Sequence, residues 1–174
     1  MNPQNLHYKM LGIYQLLGGI IGIGLTIWIL LSVQVQFVGQ YFFIVAAFLL
    51  YLYSIFCGLM LLKNKKKGLR LSLVNQLFQI VNLSIVGFAY KYISGFFLSF
   101  GLDLTNNNLL FNFGTSSWEL AINTNSIISE VHINLIALFL VFFIERLIGK
   151  SLYNEDSTLE KERSNLVIQK KEAE

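Results

Sequence analysis

From Met10 to Leu62 the chain carries no charged residue. A bilayer core about 30 Å thick is crossed by about 20 apolar residues rising ~1.5 Å each. The stretch holds two such runs, residues 10–31 and 41–62, parted by the uncharged connector SVQVQFVGQ at 32–40. So short a link makes the two runs an antiparallel hairpin. The first run is longer than the apolar part of a signal peptide, ~7–15 residues, and no A-x-A-like cleavage site follows Leu31, so it reads as a span.

Next comes KNKKKGLR, in which Lys63, Lys65, Lys66, Lys67 and Arg70 stand without an acid to offset them. Short loops rich in Lys and Arg stay on the cytosolic side of a membrane, which puts connector 32–40 outside and the N-terminus inside. Asp and Glu are absent before Asp103 and gather from Ser151 on. With 55% hydrophobic and 13% charged residues, the balance is that of a chain whose solvent is a bilayer. The pI near 9.0 does not indicate nucleic acid, because the lysines flank apolar spans instead of interleaving with exposed aromatics.

Residues 71–91 read as a third span. At 100° per residue Ser72, Asn75, Gln76, Gln79 and Asn82 share one face, a polar stripe in a helix otherwise made of Leu, Ile, Val and Phe. Amides facing lipid cost several kcal/mol each, so the stripe should face protein or trapped water. It is interhelical glue, the lining of a polar path, or a seam between copies of the chain. Lys91, between Tyr90 and Tyr92, falls at the far surface, where lysine snorkels and tyrosines form a belt. In the first span Gly18, Gly22 and Thr26 recur at i, i+4 and i+8, a small-residue face for close helix packing within this chain or against a second copy.

Residues 93–125 form the outer loop. TNNN at 105–108 signals a turn. Leu109, Phe111 and Phe113, then Trp118, Leu120 and Ile122, alternate with smaller or polar residues about a GTSS break, which predicts a β-hairpin. Phe111, Phe113 and Trp118 are its candidate contact residues. Residues 126–148 read as the fourth span. Glu130 and His132 lie two apart at its outer end and share no helical face, which argues against an acid/base or metal pair there. A charged cytosolic tail, 151–174, completes the chain, with Ser157 and Glu160 spaced as a helix capping box.

The sequence therefore predicts an all-α integral membrane protein: four antiparallel helices in a domain at 1–150, a small outer hairpin and both termini cytosolic. The single cysteine, Cys57, excludes intrachain disulfide or CxxC chemistry. The first three spans carry no carboxylate for proton-coupled export, and no Ser and His pair lies within the bilayer. No catalytic residues, metal or cofactor are expected. The expected partners are the lipid bilayer and either a membrane protein or further copies of the chain. The function that fits is a non-catalytic scaffold or accessory subunit of a membrane complex. A small channel or transporter lined by Asn75, Gln79 and Asn82 is the alternative.

Overall fold

The computed structural model describes residues 3–32, 38–122 and 129–152. Helices α1 (Pro3–Ser32) and α2 (Val38–Lys63) fall on the two charge-free runs and pack side by side. Both are long and apolar enough to cross a membrane by length and composition, over Leu6–Ser32 and Gly39–Lys63. Only 28% and 33% of their most apolar windows are buried inside the molecule, so this chain leaves most of each apolar surface uncovered. The tail from 153 on, residues 33–37 of the connector and residues 123–128 of the outer loop and fourth segment lie outside the described residues.

The four-helix architecture is overturned from Asn64 onward. Asn64 accepts from the Lys67 amide at 3.1 Å through Oδ1 and caps α3 (Lys65–Leu77), which is only 13 residues long. In place of a third span the chain then enters strand β1 (Val81–Ile85), turns and returns as β2 (Phe88–Ile93). The reason is local. Val81, Leu83 and Ile85 alternate with Asn82 and Ser84, a period of two that suits a pleated strand, and β-branched residues favour it. Val86 and Gly87, at φ 29° and 81°, make the two-residue turn whose positive φ values match strand twist.

The outer segment supplies β3 (Phe97–Asp103), β4 (Asn108–Gly114) and β5 (Ser117–Ile122). The fourth segment is no transmembrane helix from its start either. It opens as β6 (Glu130–Asn134) and becomes helical, α4, only over residues 135–152. Asn134 Oδ1 caps α4 by accepting from the amides of Ile136 and Ala137 at 3.1 and 3.3 Å.

The six strands form one antiparallel sheet in the order β4-β3-β6-β1-β2-β5. Strands β4 and β5 follow the expected alternation, but they do not pair as a hairpin: β4 lies on β3 and β5 on β2, at opposite edges. Only Thr115 and Ser116 join them, and three Cα steps of 3.8 Å reach at most about 11 Å. In a flat sheet five gaps of about 4.8 Å would hold those edges roughly 24 Å apart. The sheet is therefore rolled, its edges brought together at that end.

The rolled sheet is polar within and apolar without. Partners in register share a face, which puts Leu98, Phe100, Leu102, Leu109, Phe111, Phe113, Val81, Ile85, Phe88 and Ile133 outside, all substantially exposed. On β3 it is Phe97, Ser99, Gly101 and Asp103 that are buried. At the Lys63 end the helices bury a cluster of Tyr8, Leu11, Leu61, Leu69, Ile144 and Leu147. The sheet occupies the other end of α1 and α2: Trp118 and Leu120 share an apolar cleft with Ile29, Leu30, Phe43 and Ile44.

The Gly18, Gly22 and Thr26 face packs within this chain. A Cβ at Gly18 would lie 2.5 Å from the Gly95 amide nitrogen, one at Gly22 would overlap the Tyr51 ring, and Thr26 Oγ1 bonds the Gly22 carbonyl at 2.8 Å. Gly22→Val should therefore destabilise by about 1–3 kcal/mol. Gly24→Ala, where nothing lies within 4 Å, should leave thermal unfolding in detergent unchanged or raise its midpoint. Equal effects of the two would contradict this packing.

Beyond β3, Asp103 Oδ1 accepts from the amides of Thr105 and Asn106 at 2.8 and 3.0 Å, and Oδ2 from Asn106 Nδ2 at 2.8 Å. The Asn106 side chain and these amides hold the carboxyl below its ordinary 3.8. A lowered value means the turn's stabilisation is full above 3.8 and disappears as pH falls through the folded value. Amide exchange at Thr105 and Asn106 should accelerate in that acid range, relative to the β3 ladder, and not in Asp103→Asn.

Candidate functional site

Two polar regions stand inside this otherwise apolar molecule. The first is a belt where the helices give way to the sheet. It takes in most of the polar stripe: Ser72, Asn75, Gln76 and Gln79 are all buried. Ser72 Oγ donates to Gln15 Oε1 at 3.1 Å, and Asn75 Nδ2 donates to Ser54 Oγ at 3.1 Å. Gln79 accepts the Ser94 amide through Oε1 at 2.8 Å and donates through Nε2 to the Asn75 carbonyl at 3.2 Å. Ser94 Oγ donates to Ser54 Oγ at 2.8 Å.

Around the belt, tyrosines reach main-chain carbonyls, three of them where the chain changes direction and one within α2. Tyr51 donates to Ile93 at 3.1 Å, Tyr92 to Leu50 at 2.8 Å, Tyr14 to Phe96 at 2.9 Å and Tyr90 to Phe78 at 2.8 Å. Ser116 Oγ accepts the Gly95 amide at 2.9 Å and donates to the Gly18 carbonyl at 2.8 Å. Asn75 and Gln79 are thus bonded within the protein. Ser94, which continues the stripe in the sequence, belongs to the belt; Gln15, Ser54 and Ser116 belong to it too and escaped the sequence reading, because a lone polar residue in an apolar run has no periodic signal. Gln15, four residues from Leu11 in the buried cluster, was the one detectable member.

The second region is a cavity of about 120 Å³ inside the rolled sheet, to which all six strands contribute. Asn82, Ser84, Tyr90, Lys91, Ser99, Asn112, Glu119, Glu130 and His132 line it, with Leu83. Asn82 therefore parts company with the rest of the stripe: it is on β1, facing the cavity, and not on a helix with Asn75. Lys91, expected at a membrane surface, faces the same interior, with Nζ 5.1 Å from the centroid of the Phe97 ring. His132 Nε2 and Glu130 Oε2 are 3.1 Å apart. Two apart on a helix they would diverge, but on β6 residues i and i+2 share a face. Gly101 makes room for the imidazole, since a Cβ there would overlap the ring.

Phe111 and Phe113 are 70% and 87% exposed on the outer face, while Trp118 is half-buried against α1 and α2 with Nε1 lacking a bonding partner. Among the described residues no group of three His, Cys, Asp or Glu could hold a metal ion. In comparisons with known proteins, no family model, no curated protein and no solved structure matched the chain.

Two of the belt's three glutamines, Gln79 and Gln76, separate a used amide from an idle one. Gln79→Leu leaves the Ser94 amide without its acceptor, at a cost of about 1–3 kcal/mol. Gln76, buried with neither side-chain polar atom bonded, should tolerate Leu without loss or gain stability. Denaturation of both variants in detergent decides; a larger loss at Gln76 would reverse the assignment.

Proposed function

We propose that this chain is an integral membrane protein acting as a non-catalytic scaffold or accessory subunit of a membrane complex. One observation carries the reading: the sheet turns its apolar side chains outward beside two apolar helices. Full burial of a Phe or Leu is worth about 1.5–3 kcal/mol, so a face carrying Phe100, Phe111, Phe113, Leu98 and Leu109 gains far more from lipid or a protein partner than from water. Apolar-out and polar-in is the pattern of sheets that live in bilayers.

Depths agree with this. From Gly18, against Gly95, to Leu31 helix α1 rises ~20 Å. Strands of five to seven residues cover ~17–23 Å, so the sheet stands beside the outer half of the helical hairpin. In this reading α3 continued by β1, and β6 continued by α4, traverse the layer as helix-and-strand hybrids. The exposed cations of Lys63 to Arg70 set the cytosolic side, where the start of α1 and the end of α4 also lie. The polar belt supports a structural role, because its amides serve the protein's own chain. A small polar-solute channel lined by Asn75, Gln79 and Asn82 draws support only from Asn82, whose amide faces the cavity.

In a Cys57→Ser background, a nitroxide at Phe113→Cys should be reached by lipid-dissolved oxygen and shielded from an aqueous nickel chelate. Asn106→Cys should label from outside intact cells and Lys66→Cys only after permeabilisation. A partner retained in mild detergent should be lost on Phe111→Ser with Phe113→Ser. Chelate access at 113 sinks the membrane placement, and a partner-free monomer sinks the scaffold.

A further inference from the structure

The cavity inside the rolled sheet is built for more than structure. Lys91 and Glu119 are directly opposed on β2 and β5, yet among the described residues neither side chain forms an ion pair. Opposed strand residues hold their Cβ atoms about 5 Å apart, near enough to pair if nothing else claimed them. The Lys91 ammonium lies over the Phe97 ring and the Glu119 carboxylate stands at the exposed side of the cavity. Deeper in, Asn82 is 4% exposed and its Oδ1 has no hydrogen-bond partner, although an unmet buried acceptor costs about 1–3 kcal/mol. Glu130 is already engaged by His132.

An unpaired cation, an unpaired anion and an idle amide around one space are complementary to a solute with both charges. We propose that this cavity binds a small zwitterion bearing a primary ammonium and an anionic group. Its anion meets Lys91, its ammonium meets Glu119, and Asn82 takes a remaining hydrogen bond. Size limits it: an engineered cavity of ~150 Å³ accommodates benzene, so one of about 120 Å³ takes roughly six heavy atoms or fewer, the size of glycine or β-alanine. An ethanolamine lipid headgroup carries the same two charges, but with its phosphate it is larger than that limit. The inference stands on the cavity and is independent of the scaffold reading.

The test is titration calorimetry of the full chain in detergent with glycine and β-alanine. Saturable binding is expected, weakened about tenfold by Lys91→Met and by Glu119→Gln, and about tenfold weaker for acetate and for ethylamine, which carry one charge each. The single-charge probes keep the test decisive on the native protein should a variant fail to fold. Competition by ethanolamine lipid in mixed micelles, and not by choline lipid, would assign the site to a headgroup and overturn the size-limited proposal; absence of competition supports the free solute. Lack of saturable binding by any of these probes, or binding of acetate or ethylamine as tight as that of the zwitterions, overturns the proposal.

Discussion

The structure depends on finding hydrogen-bond partners for backbone that changes type in the middle of an apolar molecule. A helix satisfies its own amides and carbonyls, and a sheet satisfies its neighbours', but the joints between them satisfy neither. Here the joints at Phe78 to Val81, Ile93 to Phe97, Gly114 to Ser117 and Asn134 lie near one level. The belt of Gln79, Ser116, Tyr14, Tyr51 and Tyr90 meets their amides and carbonyls. The chain itself adds the bond from the Asn134 amide to the Ile80 carbonyl at 2.7 Å. In a low-dielectric surround each such group left unmet would cost several kcal/mol, which is why the polar residues concentrate there.

Rolling the sheet follows from the same constraint. A two-residue link between opposite edges forces curvature, and curvature gives the sheet an inside and an outside. Charged and amide side chains occupy the inside, around a small cavity. Phenylalanines and leucines occupy the outside, continuous in character with the exposed faces of α1 and α2. An ordinary water-soluble sheet would invert that arrangement.

The sequence's strongest signals survived. The two charge-free runs are helices, the cations Lys63 to Arg70 are exposed, although from Lys65 on they start helix α3 and form no loop, and the alternation at 109–113 and 118–122 marks real strands. What failed was length applied without period: residues 71–91 are apolar enough for a span, but Val81 to Ile85 alternates like a strand. Asn75 and Gln79, four apart, are bonded to each other, but Asn82 parts from the stripe, since helical turns end at Ile80 and strand β1 begins at Val81. Glu130 and His132 were set aside by a helical rule that does not hold on β6.

By itself the sequence determined which segments shun water and where charge is refused, because hydrophobicity and charge belong to each residue wherever it lies. Strand order, the rolled closure, and the convergence of Asn82, Lys91, Glu119, Glu130 and His132 on one cavity were decided only by tertiary structure. Pairing β6 between β3 and β1 joins residues some thirty to fifty positions apart. No local periodicity records that choice; it is made by which edges find hydrogen-bond partners and which faces find company of their own polarity.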